Sequence, residues 1–298
     1  MTQPDTSTHQ YDAAAQRSLR RVTIASVAVA LTLVVAKLGA WWLSGSLSLL
    51  SSMADSFMDV LVSLVNFAAI RYALKPADSD HRFGHNSIED IAGLVQFSFI
   101  VLTSAFIIFH SAERLINPQP IEHSDWAIGV MIFSLCATTC LVLYQRRVLR
   151  KTGSVVIAAD ALHYLGDVLT NASIILTLIL IQFFDLEWLD PALAIGIALL
   201  IGYHAIEIGT RAYNNLMDKE MSDEDKQAII AVIEAQQGIK GYHALKTRMS
   251  GNKPFIQLHV DLPGQSSLHD THALTDKLEK ALLAAYPGAD VIIHQDPV

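Results

Sequence analysis

Six long apolar stretches occupy most of the first 212 residues and limit what the chain can fold into. They cover residues 22–43, 47–70, 90–113, 125–144, 154–183 and 189–212. Each can cross a hydrocarbon layer of about 30 Å, which takes roughly 20 residues of helix. Because lipid offers the backbone no hydrogen-bond partner, each stretch must be helical. The sequence therefore predicts an α-helical membrane protein with six transmembrane helices, of which the first is too long for a cleaved signal.

Positive charge lies on one side of this predicted membrane domain. Arginine and lysine precede the first stretch and follow the second and the fourth, whereas the connections "SGS", "NPQPIEHSD" and "FDLEWLD" contain neither. Cytoplasmic connections are enriched in these two residues. We therefore expect the N-terminus and the C-terminus to lie in the cytoplasm.

A pattern typical of a soluble domain begins after Met217. Ser222 can cap a helix that has acidic residues in its first turn, and two alternating strands follow around a Gly-Asn turn. A helical stretch and the strand "DVIIHQDP" complete the order αββαβ, which predicts a small ferredoxin-like α+β domain. We expect a cytoplasmic segment over residues 1–21, a transmembrane domain over 22–217 and a cytoplasmic metal-binding domain over 218–298.

Two of the apolar stretches carry ionisable pairs at the same spacing. Asp55 and Asp59 lie in the second stretch, and His163 and Asp167 lie in the fifth, followed by Asn171 on the same face. The spacing of four residues puts both members of a pair on one helical face, and intramembrane ionisable groups usually mark a pathway. Two such helices can close a four-ligand site for zinc, although iron(II), cobalt, cadmium or manganese would accept the same ligands.

Two further groups of residues could bind metal ions. The loop after the second stretch contains "DSDHRFGH", in which Asp78, His81 and His85 have metal-ligand side chains. Solvated, titrating imidazoles are the simpler interpretation of that loop by itself. In the soluble domain, ligand-type residues fall on predicted strands and a helix that one small sheet brings together. They are His243, His259, His272, His294 and Asp296.

These motifs together resemble the cation diffusion facilitator family, and the likeness covers almost the whole chain. The runs "KPADSDHRFGH", "ADALHYLGD", "TRMSG" and "DVIIHQDP" are similar to those of its bacterial ferrous-iron and zinc exporters. The resemblance implies a homodimeric, proton-coupled antiporter of the bacterial inner membrane that exports zinc and also iron(II) or cadmium. It also implies a loop metal site and a cytoplasmic site in which Asp296 bridges two zinc ions, with a structural or sensing role.

One position departs from the family pattern. Ser87 stands where the zinc exporters carry a lysine, which the resemblance would pair with an acid at the end of the sixth helix, here Asp218. This chain therefore lacks that charge pair. A description of gating that depends on the pair in the family cannot be transferred to this chain.

Two other classes of protein compete with the transporter interpretation. An intramembrane aspartyl protease also needs membrane aspartates, but its acid dyad has no use for the histidine or for two ligand pairs, so we expect no enzyme activity. A metal-sensing or scaffold protein would need only the soluble domain. Nucleic acid is not an expected partner, because the net charge is −8 and the soluble part has no basic patch with interleaved aromatics.

Overall fold

The computed structural model describes residues 12–44, 47–117, 125–181 and 188–298. Six long helices form its first part: α1 (Ala13–Ser44), α2 (Leu47–Ala73), α3 (Ile88–Ile116), α4 (Asp125–Thr152), α5 (Val155–Ile181) and α6 (Leu189–Leu216). Each predicted stretch coincides with one of them, so the six-helix prediction is confirmed. The helices also extend beyond the apolar stretches, since α1 begins at Ala13 and α4 continues to Thr152.

Five of these helices are long and apolar enough to cross a membrane within the described residues: α1, α2, α3, α4 and α6. Helix α5 is not among them within the described residues, and it carries Asp160, His163, Asp167 and Asn171 in an otherwise largely apolar sequence. It packs against α2, α3, α4 and α6, which places it inside the bundle. A central position is the one in which a membrane helix can carry such residues.

A buried carboxylate ties four of the helices together. Asp160 of α5 is fully buried and accepts hydrogen bonds from Ser26 of α1 (2.8 Å), Asn66 of α2 (2.9 Å) and Gln145 of α4 (2.6 Å). All three donors are uncharged. Apolar residues of the same four helices pack around the neighbouring turn of α5, so α1, α2, α4 and α5 form one bundle.

Helices α3 and α6 pack closely against each other. A Cβ atom added to Gly209 of α6 would lie only 2.5 Å from the ring of Phe97 on α3. Where α3 ends and α6 begins, Arg114 of α3 approaches Asp190 of α6, with 3.4 Å between Nη1 and Oδ2. The two helices thus form a pair beside the four-helix bundle.

The C-terminal part has the predicted αββαβ order: α7 (Asp223–Glu234), β1 (Gly241–Ser250), β2 (Lys253–Leu262), α8 (Leu268–Ala285) and β3 (Asp290–Pro297). The Ser222 and Ser267 hydroxyls cap α7 and α8. The sheet has the order β1-β2-β3, with β1 antiparallel and β3 parallel to β2. Alternate residues of β2 form the core with both helices. Its other residues, including His259, therefore face away from the helices.

Ser87 and Asp218, the two positions that the family pattern would pair, contact different residues. The Ser87 hydroxyl is 2.8 Å from that of Ser250, the last residue of β1. Asp218 instead accepts a hydrogen bond of 3.1 Å from Arg248 of β1. The polar link at Ser87 is therefore uncharged, and the acid at the end of α6 is paired within the C-terminal part.

Candidate metal centres

The first candidate centre lies between α2 and α5 inside the membrane domain. The Nε2 atom of His163 is 3.0 Å from Oδ1 of Asp59, and both side chains are largely buried. Asp59, His163 and Asp167 each present a ligand atom within 4.8 Å of those of the other two. Asp55 occupies the preceding turn of α2, and its side chain lies outside the described part of the structure.

The surroundings of this centre fix the direction of the imidazole. The ring of Phe99 on α3 packs edge-on to that of His163, with 6.0 Å between their centroids. Asn171 donates a hydrogen bond of 2.8 Å to the main-chain carbonyl of Asp167. Three ligands from two helices can hold one divalent ion, which would replace the hydrogen bond between His163 and Asp59.

The second candidate centre is the loop between α2 and α3. Asp78 is 3.4 Å from Nδ1 of His81 and 3.4 Å from Nε2 of His85. Lys75 already contacts the same carboxylate at 2.6 Å. This hydrogen bond, with those from the backbone of the loop, holds the pKa of Asp78 well below its usual range. A metal ion at this centre would therefore compete with the lysine ammonium group.

The third candidate centre lies on the face of the sheet that points away from α7 and α8. Asp296 of β3 accepts a hydrogen bond of 2.8 Å from Nδ1 of His259 and lies 3.1 Å from Nε2 of His243. His294 approaches its other oxygen at 3.5 Å. The hydrogen bond from His259 is the main cause of a lowered pKa at Asp296. Three imidazoles around an ionised carboxylate are a donor set that suits zinc.

The remaining predicted ligand of the cytoplasmic group is not brought to this cluster. His272 is exposed on α8, and that helix covers the opposite face of the sheet. Asp261 of β2, which the sequence analysis did not single out, lies beside this cluster, 3.6 Å from His243. Its position two residues after His259, on the same face of β2, could have indicated this.

A β-bulge in β1 puts His243 on the metal-ligand face. His243 is opposite His259, whereas Lys246 is opposite Gln257, so two residues of β1 face a single residue of β2. Ala244 lies within the bulge and has a positive φ of 51°. Because side chains alternate between faces, regular pairing would turn His243 toward the helices. The bulge is therefore a condition for the cluster.

This fold and these groups define a multi-pass membrane protein with candidate metal centres inside the membrane, in a loop and in a C-terminal domain. Family models agree: residues 23–217 match the cation efflux transmembrane domain, and residues 221–298 match the cation efflux protein cytoplasmic domain. The chain belongs to the cation efflux family, which confirms the resemblance to cation diffusion facilitators, and it is a metal cation efflux transporter.

Named relatives match nearly end to end. The chain is 43% identical to the cation-efflux pump FieF of Shewanella oneidensis, over 98% of this chain and 97% of that one. It is 39% identical to the FieF pump of Klebsiella pneumoniae, over 94% and 93%. A solved metal-bound C-terminal domain of the CzcD transporter from Thermotoga maritima is 31% identical, covers 26% of this chain and 94% of that one, and has a TM-score of 0.24.

Proposed function

We propose that the protein is a proton-coupled antiporter that exports divalent transition-metal cations from the cytoplasm, with zinc as its main substrate and iron(II) or cadmium as others. The observation that carries the proposal is the convergence of Asp59, His163 and Asp167 from two membrane helices. Their ligand atoms are close enough to surround one ion. Asp55 lies one helical turn before Asp59 on the same face of α2 and is the fourth ligand in this proposal.

Coupling to protons follows from the chemistry of these ligands. An imidazole and a carboxylate bind a metal ion only after they have released their protons. His163 and Asp59 are joined by a hydrogen bond of 3.0 Å, so an arriving ion displaces the proton they share. Protonation from the opposite side of the membrane would then eject the ion, and His163 is the residue that carries the proton.

The other two centres have supporting roles in this proposal. The loop group of Asp78, His81 and His85 binds a second ion near the cytoplasmic ends of α2 and α3. The cluster of His243, His259, His294 and Asp296 holds zinc as a structural or sensing ion. The single chain leaves His272 outside this cluster, so its part as a ligand remains a prediction for the assembled protein.

We further propose a homodimer in the bacterial inner membrane with both termini in the cytoplasm. The distribution of positive charge supports this orientation. The match of residues 221–298 to a cytoplasmic domain also supports it for the C-terminus. Residues 1–21 then form a cytoplasmic segment, 22–217 the transmembrane domain and 218–298 the cytoplasmic domain.

Flux in proteoliposomes under an imposed pH gradient tests this function. Wild type, Asp167→Asn and His163→Ala are compared for zinc, iron(II), cadmium and manganese, with Glu113→Gln as the control for loss of an exposed acid on α3. We expect proton-driven zinc flux that both site variants abolish and the control retains. Wild-type flux in Asp167→Asn would refute the site. No flux for any ion, with zinc still bound to the soluble domain, would favour a metal sensor or scaffold instead.

A further inference from the structure

An apolar groove lies between α4, α5 and α6 and has a volume of about 500 Å³. It runs for about 15 Å along the face of α5 that is turned away from His163 and Asp167. Val155 and Leu162 of that face are buried and form part of its floor. Further apolar lining comes from all three helices: Leu149, Ala158, Leu165 and Ile208. A groove of this length and lining fits a hydrocarbon chain.

Two arginines line the same groove at one end. Arg146 belongs to α4 and Arg211 to α6, and both side chains are exposed. They lie at a similar depth, about 9 Å before the end of α4 and about 8 Å before the end of α6. Glu207 lines the groove one helical turn before Arg211, and His204 lies about 5 Å further back along α6. The polar groups are therefore ordered along the groove, with the arginines nearest the helix ends.

A second, polar cavity begins at this end of the groove. Its volume is about 870 Å³, and Glu207 and Arg211 line it as well. The rest of its lining includes polar residues that follow α6, among them Lys219, Ser222 and Asn252. Arg211 reaches toward the last of these, with 3.5 Å between its Nη2 and Oδ1 of Asn252. An apolar and a polar compartment thus meet at two charged residues, which is the arrangement that suits an amphiphile.

The charges where the two compartments meet suit a particular head group. Among the described residues, the ion pairs of arginine are those of Arg114 and Arg248, so Arg146 and Arg211 have no carboxylate partner in this part of the chain. Guanidinium groups bind phosphate with strong, paired hydrogen bonds, and basic pockets between membrane helices bind phospholipid heads. A purely anionic head would bring like charge against Glu207. A head that also carries a cationic donor would satisfy all three side chains.

We infer that this site binds a phospholipid whose head carries a phosphate and a primary ammonium group, as phosphatidylethanolamine does. The phosphate binds to Arg146 and Arg211, the ammonium group pairs with Glu207, and one acyl chain lies in the groove along α5. His204 is then at the level of the ester groups and donates a hydrogen bond to an ester carbonyl. The site is separate from the three candidate metal centres, and the inference does not depend on ion transport.

Lipid titrations followed by native mass spectrometry test the site in the full-length protein. Delipidated protein in detergent is titrated with dioleoyl phosphatidylethanolamine, and with the phosphatidylcholine and phosphatidylglycerol that carry the same chains. We expect phosphatidylethanolamine to bind about tenfold more tightly than phosphatidylcholine, because a quaternary ammonium group donates no hydrogen bond to Glu207 and a hydrogen bond to a charged group contributes about this factor. We also expect it to bind more tightly than phosphatidylglycerol, which has no cationic group.

Three substitutions of exposed residues separate the parts of the head group. Arg146→Gln and Arg211→Gln should each weaken the binding of all three lipids about tenfold, because all three carry the phosphate. Glu207→Gln should abolish the preference for phosphatidylethanolamine over phosphatidylglycerol. Arg150→Gln is the matched control, since it removes an exposed arginine of α4 that does not line the groove, and it should leave all three affinities unchanged.

The apolar part of the site has its own test. Ala158→Leu puts a larger side chain into the groove and should weaken all three lipids; if this variant fails to fold, the arginine variants decide. Equal binding of the three lipids to wild type, or wild-type affinities in both arginine variants, would overturn the inference. Dissociation of Ala158→Leu into monomers with unchanged lipid binding would also overturn it, because a second copy of the chain would then cover the groove.

Discussion

The buried carboxylate of Asp160 offers a quantitative test of how the bundle is held together. Its three hydrogen bonds come from three different helices, at 2.8 Å from Ser26, 2.9 Å from Asn66 and 2.6 Å from Gln145. Asp160→Ala removes the acceptor of all three bonds. The Ser26 hydroxyl then keeps only its contact with the Val22 carbonyl (3.2 Å), and the Gln145 amide keeps only its contact with the Ser26 hydroxyl (3.1 Å). Asp160→Asn keeps the volume and one acceptor oxygen.

The geometry gives different costs for these two substitutions. Interhelical hydrogen bonds in membrane proteins contribute about 0.6 kcal/mol each on average and about 1.7 kcal/mol at most. Three of them predict that Asp160→Ala lowers the free energy of unfolding by about 2 to 5 kcal/mol. In Asp160→Asn the new carbonyl can still accept from Ser26 and Gln145, while the Asn66 amide turns to offer its oxygen. We therefore expect a loss of only about 1 kcal/mol.

Unfolding by sodium dodecyl sulfate in mixed micelles, followed by tryptophan fluorescence, measures these differences. The double variant Asn66→Asp with Asp160→Asn exchanges the two groups and should recover most of the stability lost in Asn66→Asp alone, because it restores one carboxylate facing one amide. An Asp160→Ala protein as stable as wild type would refute the reasoning. Equal losses in the alanine and asparagine variants would refute the role of shape and acceptor geometry.

Three further predictions concern packing, the bulge and the cytoplasmic cluster. Gly209→Ala should cost about 1 to 3 kcal/mol of unfolding free energy in the same micelle assay. Gly196→Ala on the same helix, with no atom within 4 Å of its added Cβ, should cost much less. Ala244→Gly should raise the free energy of unfolding of the full chain by about 1 kcal/mol, because a φ of 51° disfavours a residue that has a side chain. A lower free energy of unfolding in this variant would contradict the bulge geometry. In calorimetric zinc titrations His259→Ala should weaken binding about tenfold or more, and the matched variant His269→Ala should not.

The sequence predicted the elements because their patterns are local. Length and hydropathy located six helices, and the Gly-Asn turn and strand alternation located β1 and β2. The spacing of His163 and Asp167 also predicted a shared face, since a helix repeats every 3.6 residues. These features need no knowledge of which helices are neighbours, which explains why they could be inferred.

The contacts that tie the elements together could not be predicted in this way. Asp160 is part of the quoted run "ADALHYLGD", but its partners come from residues far apart in sequence, and only packing of the helices reveals them. Asp90 of α3 accepts a hydrogen bond of 2.7 Å from the Gly251 amide. The sequence carries no indication of this contact, because a carboxylate at the start of a helix is usually explained by the helix dipole. His272 was grouped with the cytoplasmic ligands because one small sheet was expected to bring its helix to the strands and because the set resembles the family's cytoplasmic site. The structure places it on the opposite side of the sheet within one chain.

The bulge in β1 has a consequence for comparing related chains. The bulge shifts the pairing between His243 and Lys246. The face of the sheet on which a histidine of β1 lies therefore depends on how many residues separate it from the β1–β2 turn. A relative with one residue fewer in this segment could keep an aligned histidine and yet point it toward the helices. Equivalent ligands among relatives should therefore be found by counting along the paired strands from the turn, and a gap near Ala244 marks a change of metal site even where every histidine is retained.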